Sequence, residues 1–175
     1  YRITAIAAAA LTLAACNNAE PQKDAAASAP ASAQEHVVKI GSANPLTGPF
    51  AHWGRDADNG VQLAVEEANA SGVTLGGQKV KFEVVSEDDQ ADPKTATQVA
   101  QRFIDSGVVA VVGHLTSGAA IPASRIYSDA GVPMVAGSVT SPKFTQQGYN
   151  NTFRIIANDL QQGQALAKFA VGQLK

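Results

Sequence analysis

From Val37 onward the chain alternates between short β-branched runs and stretches whose apolar positions recur three and four residues apart. The runs Val37–Ala43, Val80–Ser86, Val108–Gly113, Val132–Ala136 and Thr152–Ile156 read as strands. The third, Val108 through Val112, is apolar on both faces, as a central parallel strand should be. Between these runs lie four helical patterns. Val61, Ala64, Val65 and Ala68 share a face in the first; Ala96, Val99, Ala100, Phe103 and Ile104 do so in the second. The second has Asp92 as N-cap, Pro93 at its first position and Gly107 just past its end. The third runs from about Ser117 to Ala130 and stops at Gly131, and the fourth takes Asp159 as its cap. A stripe of Gly163, Leu166, Ala167, Ala170, Val171 and Leu174 along the fourth reads as core. The alternation predicts an α/β fold, an open parallel sheet with helices on both faces.

The first 36 residues follow a different pattern. Fourteen of the first 34 residues are alanine, against nineteen in the remaining 141. Ile3–Ala15 is apolar apart from Thr4 and Thr12, and its 13 residues fall short of the roughly 20 that a membrane-spanning helix needs. It has the length of a signal-peptide hydrophobic region, with Arg2 as the remainder of a basic flank and the true start expected upstream of Tyr1. The run ends Leu13-Ala14-Ala15-Cys16, which resembles the lipobox of bacterial lipoproteins. That resemblance implies cleavage before Cys16 and acylation of Cys16, and several acyl chains on one residue anchor stably where one is marginal. Asn17–Glu35, rich in Ala, Ser, Pro, Asn and Gln without apolar periodicity, reads as a solvated tether. The expected organisation is a signal peptide over residues 1–15, a lipidated Cys16 and tether over 16–36, and an α/β ligand-binding lobe over 37–175.

Composition narrows the chemistry. A formal net charge of −2 over 175 residues argues against nucleic-acid binding, which needs a basic face. A single cysteine excludes an internal disulfide framework and any multi-cysteine metal site. The loop after the first strand, Asn44-Pro45-Leu46-Thr47-Gly48-Pro49, carries neither of the glycine spacings that bind dinucleotides or triphosphates, so no cofactor is expected. His36, His52 and His114 lack a second ligand at metal-binding spacing. The run Glu87-Asp88-Asp89 reads as a solvated rim rather than a cation site. His114 three residues before Ser117 invites a serine-hydrolase reading, but the local sequence misses GxSxG by one position and shows no acid partner.

In an open α/β sheet, ligands lie beyond the carboxyl ends of the strands. Thr116, Ser117 and Gly118 open a helix directly after the central strand, where bare backbone N–H groups and the helix dipole attract an anion. Ser117 reads either as a ligand for a carboxylate or as a simple N-cap. Gly137 to Ser141, after the next strand, brings further hydroxyls to the same crevice, and Trp53 reads either as a core residue or as a flat ring that walls it.

From Val38 to the end, the chain resembles the periplasmic leucine/isoleucine/valine-binding proteins of branched-chain amino-acid ABC transporters. The resemblance rests on Leu46-Thr47-Gly48-Pro49 with Trp53-Gly54, on Asp88-Asp89 with Asp92-Pro93-Lys94, and on Val112-Gly113-His114-Leu115 followed by Ser117. It continues through Pro122-Ala123-Ser124, Ile126-Tyr127 and Gly131-Val132-Pro133-Met134 to Thr140 and Pro142. It implies the N-terminal lobe of a type I periplasmic binding fold, and a periplasmic or cell-surface, lipid-anchored receptor that hands an amino acid to an ABC permease without enzymatic chemistry. By the same resemblance, Ser117 holds the ligand carboxylate, the Ser138 carbonyl takes the ammonium, Thr140 bonds both, and Trp53 packs on the side chain. Leu115 and Thr116 complete the loop. The positions of the family's disulfide are Ala91 and Thr116 here, so none forms.

Other expectations stay beside this one. A sensory or transport module for amides, urea or aromatic acids would keep the fold and change the ligand, and a hydrolase would use Ser117 and His114. The family's second lobe, with its acid for the ligand ammonium, lies outside this sequence, so residues 37–175 alone are expected to bind weakly or not at all.

Overall fold

The computed structural model describes residues 36–174. The signal peptide, Cys16 and the tether as far as Glu35 lie outside the described residues. The elements are β1 (His36–Asn44), α1 (Ala51–Ser71), β2 (Thr74–Leu75), β3 (Gln78–Asp88), α2 (Pro93–Asp105), β4 (Ala110–Gly113), α3 (Ser117–Asp129), β5 (Met134–Ala136), β6 (Thr152–Arg154) and α4 (Asp159–Gln173), with a 3₁₀ turn over Pro142–Thr145. The strands order β2-β3-β1-β4-β5-β6. All pairings are parallel except that of β2 with β3. The open parallel α/β sheet expected from the sequence is present. β2 is an addition to it, a short hairpin strand turned by Gly76-Gly77, whose φ values of 57° and 81° suit the two-residue turn that favours glycine at both positions.

Strand alternation decides which face carries the core. On β3, Val85 packs with the buried cluster of α2 and α3, while Ser86 donates to Asp58 of α1 at 2.7 Å. The α2/α3 face is the dry one. Ala96, Val99, Ala100 and Phe103 from α2 meet Ala119, Ala120, Ala123 and Tyr127 from α3 over Ala43, Val111, Met134 and Ala136 of the strands. The alanines let the two helices lie close, and Phe103 fills the space that remains. Gly41 of β1 is required there, because a Cβ at that position would stand 2.8 Å from the Phe103 ring. On the opposite face α1 buries only Gly54 and Val61, and Ala64 is exposed.

Two helix caps differ from the sequence reading, although α3 begins at Ser117 as expected. α3 is capped by Thr116, whose Oγ1 accepts from the Ala119 N–H, leaving Ser117 as the first helical residue. α4 is capped by Asn158 rather than Asp159, through a reciprocal box with Gln161 that satisfies two end N–H groups. The larger correction concerns the stripe on α4. No residue of this helix is buried, and Leu166, Val171 and Leu174 are 68%, 78% and 66% exposed. The periodicity is real, but among the described residues nothing covers that face.

Replacing Phe103 with alanine opens a cavity at the centre of the α2/α3 layer and is expected to cost about 3–5 kcal/mol. Urea unfolding checks this, with a lower midpoint at an unchanged slope.

Candidate functional site

The strand order reverses between β1 and β4, which leave the sheet in parallel from adjacent positions while their chain continuations diverge. A cavity of about 600 Å³ opens there. One wall comes from the start of α1: Phe50, Trp53, Asp56 and Ala57. The other comes from the loops after β4 and β5: Leu115, Thr116, Ser117, Ser138 and Thr140. Trp53, Leu115, Thr116, Ser117, Ser138 and Thr140, all singled out from the sequence, thus line one cavity.

Each wall is held from behind. In the β5–β6 loop Val139 is fully buried, and the residues on either side of it, Ser138 and Thr140, line the cavity. Ser138 Oγ donates to the Leu115 carbonyl at 2.6 Å, and the Ser141 N–H donates to Ser117 Oγ at 3.3 Å. The two loops are therefore stitched to each other. Ser117 Oγ acts as acceptor in that bond, so its own proton is left to donate toward the cavity. The N–H groups of Ser117 and Gly118 belong to the first turn of α3, where no intrahelical acceptor exists. The Ser117 hydroxyl and the N-terminal turn of α3 stand at one end of the cavity, a polar end without formal charge.

The α1 wall is placed by glycine and by a carboxylate. Gly54 is buried against the β1 loop, where a Cβ would fall 1.9 Å from the Pro45 carbonyl oxygen, so only glycine lets this turn of α1 come so near. Trp53, beside it, is 56% exposed, with the Phe50 ring 5.7 Å away. The β1 loop is gripped by Asp88, which accepts from the Leu46 N–H at 2.8 Å, from the Gln90 N–H at 2.9 Å and from the Thr47 hydroxyl. Partial burial pushes the Asp88 carboxyl up, but the bonds from Thr47, Gln90 and Leu46 outweigh it and hold the group below the usual carboxylate range.

Two expectations fail at the next residue. The acidic run is not a solvated rim: Asp89 is fully buried, and Glu87 is bound by Arg102 at 2.7 and 3.2 Å. Asp89 Oδ2 meets His114 Nδ1 at 2.6 Å, and His114 Nε2 meets the Tyr127 hydroxyl at 3.1 Å. His114 is itself fully buried, so both ring nitrogens are occupied inside the lobe while Ser117 bonds the Ser141 backbone. The Ser117–His114 hydrolase arrangement is overturned, and the histidine's acid partner, missed in the sequence, is Asp89. Phe50, Asp56 and Ala57 were also missed. Their signal was the helical spacing of three and four residues around Trp53. Among the described residues, no group of three His, Cys, Asp or Glu side chains is placed to hold a metal ion.

The family described as periplasmic binding protein matches residues 37–175. The chain is 41% identical over 138 residues to Leu/Ile/Val-binding protein homolog 2 of Brucella abortus, covering 79% of this chain and 36% of that protein. It is 40% identical over 139 residues to the leucine-, isoleucine-, valine-, threonine- and alanine-binding protein of Pseudomonas aeruginosa, with the same coverage of 79% and 36%. Among solved structures it resembles the branched-chain amino acid transporter substrate-binding protein LivJ from Streptococcus pneumoniae in complex with isoleucine. That likeness has a TM-score of 0.71 and 33% identity, over 79% of this chain and 39% of that one. The chain spans little more than a third of the length of these relatives.

Asp88 carries a pH signature. Its folded pKa is depressed, so its contribution is complete above the unfolded value of about 3.9 and is lost as pH falls through the lower folded value. Asp88→Asn is expected to cost about 1.5 kcal/mol at pH 7, the low end for a charged hydrogen bond because the site is half open to water. Thermal midpoints from pH 7 to pH 2.5 check both claims, since the variant should lose less stability than the wild type over the acid limb.

Proposed function

The chain belongs to the periplasmic binding protein family, and from that premise we propose that it forms the ligand-gripping lobe of an extracytoplasmic receptor delivering a branched-chain or related amino acid to an ABC permease. The observation that carries this is the polarity of the cavity. One wall offers hydroxyls and a helix N-terminus, and the facing wall offers the Trp53 and Phe50 rings with Asp56 on the same side. An α-amino acid with an apolar side chain has the same division. Its carboxylate would sit on Ser117, with the N–H groups of Ser117 and Gly118, and Thr140 would bridge carboxylate and ammonium. The Ser138 carbonyl would accept from the ammonium, Leu115 and Thr116 would shape the floor, and Trp53 would cover the side chain. Relatives named for binding leucine, isoleucine and valine support this ligand class.

The whole receptor is read as larger than this lobe. Residues 1–15 form a secretion signal, Cys16 is the acylated first residue after cleavage, and the segment to residue 36 tethers the lobe 37–175 near a membrane surface. A second lobe would close over the ligand and supply the ammonium's counter-charge. Closure would present a surface for the permease by shifting the population of open and closed states, with no bond made or broken in the ligand.

In the full-length protein, Ser117→Ala is expected to weaken leucine binding by about 1.5–3 kcal/mol, because a charged acceptor loses its donor. Isothermal titration measures it, and an unchanged affinity removes Ser117 from the site. Cys16→Ser should move the protein from the membrane fraction to the soluble fraction and abolish incorporation of labelled fatty acid. A variant that keeps both properties contradicts the anchor.

A further inference from the structure

The buried chain Asp89–His114–Tyr127 has no direct part in the binding just described, yet it encloses the segment that does the binding. His114 immediately precedes Leu115, Thr116 and Ser117, and Tyr127 lies on α3, whose first turn is the proposed carboxylate cradle. The imidazole therefore staples residue 114 to residue 127 and closes a loop around the cradle. Asp89 then fastens that staple to the end of β3, where its own N–H donates to the Asn44 carbonyl at 3.1 Å, its Oδ1 accepts from the Ala91 N–H at 2.8 Å and its carbonyl accepts from the Asp92 N–H. All three side chains are fully buried.

One proton arrangement satisfies every atom in the chain. Nδ1–H of a neutral His114 donates to the Asp89 carboxylate, and the Tyr127 hydroxyl donates to Nε2. Among the described residues the Tyr127 hydroxyl makes no other hydrogen bond. Protonating Nε2 would set two donors against each other and strand the phenol proton in a dry site. Burial, then the charges of Asp89 and Glu87, push the phenol well above its ordinary range, so it stays a donor at any working pH. The other charge facing this group, Glu87, is itself held by Arg102 of α2.

We infer that Asp89, His114 and Tyr127 are positioning residues for ligand binding, fixing the Leu115–Ser117 cradle through a neutral histidine whose Nε2 is locked by the tyrosine hydroxyl. This rests on the amino-acid-binding reading above, and it adds that the geometry of the cradle depends on the Tyr127 hydroxyl behind it. Removing the hydroxyl alone leaves Nε2 without its partner in a dry site and loosens the hold of α3 on residue 114.

The test is Tyr127→Phe in the full-length protein. The expected result is a leucine Kd at least fivefold weaker at pH 7. A variant with a lower melting temperature but an unchanged Kd overturns the inference and leaves the chain a structural support. Histidine ¹⁵N spectra of the wild type supply a second measurement that needs no variant to fold. An Nδ1–H neutral ring at pH 7 is expected for His114, and an imidazolium or an Nε2–H ring overturns the inference. Ligand-free amide shifts separate the two readings. If the wild type binds no amino acid, the functional reading falls, while displaced Leu115–Ser117 amide resonances in the variant still uphold the positioning role and unmoved ones overturn it.

Discussion

At the end of β3 two adjacent carboxylates serve different partners: Asp88 closes the strand and Asp89 is the first residue beyond it. Asp88 turns to the β1 loop and grips Leu46 and Thr47, and Asp89 turns inward and grips His114 after β4. The loops that wall the cavity on its two sides thus share one support. Holding both from neighbouring positions has a conformational cost. The next two residues, Gln90 and Ala91, adopt φ of 55° without being glycine, in a region that costs an ordinary residue about 1–2 kcal/mol. The cost is offset locally, because Asp88 accepts from the Gln90 N–H and Asp89 from the Ala91 N–H, the short-range bonds by which aspartate favours turns.

That support works because the sheet is packed unequally. The α2/α3 face is dry and filled with alanine, valine and Phe103, so α3 is rigidly seated and its N-terminus is a fixed point. The α1 face is looser, and α1 carries the aromatic wall of the cavity. A rigid polar wall and a more lightly held apolar wall suit a site that must recognise one end of its ligand by geometry and tolerate variation at the other.

The sheet was legible from the sequence because its strands are β-branched runs that only a buried parallel strand explains, and Asp92-Pro93 with Gly107 marked α2 without ambiguity. The cavity residues were legible because each lies just past a strand end. What escaped was of two kinds. Asp89 and His114 are 25 residues apart in sequence, and nothing local shows that a carboxylate in an acidic run faces the interior. β3 runs two residues past Ser86 and Asp89 stands just beyond its end, so strand alternation gives no signal for its inward turn. The stripe on α4 misled for another reason. Apolar periodicity reports that a face is meant to be covered, and it does not say by what, so Leu166 and Val171 read as core although no described residue meets them.

The distribution of charge around the cavity fits the proposed binding role. The strongest acid–base pair near it, Asp89 with His114, is sealed inside and has both histidine nitrogens occupied. The cradle itself is built from a hydroxyl and backbone dipoles. Such groups stabilise a carboxylate while leaving it chemically unchanged, and because they are fixed by folding they need little reorganisation when the ligand arrives or leaves. A charged cradle would hold a zwitterion through its carboxylate but would also repel its ammonium, three bonds away. Dipoles of limited range avoid that conflict. The proton chain behind the cradle keeps those dipoles aimed, which places the lobe's buried charge in the service of geometry rather than chemistry.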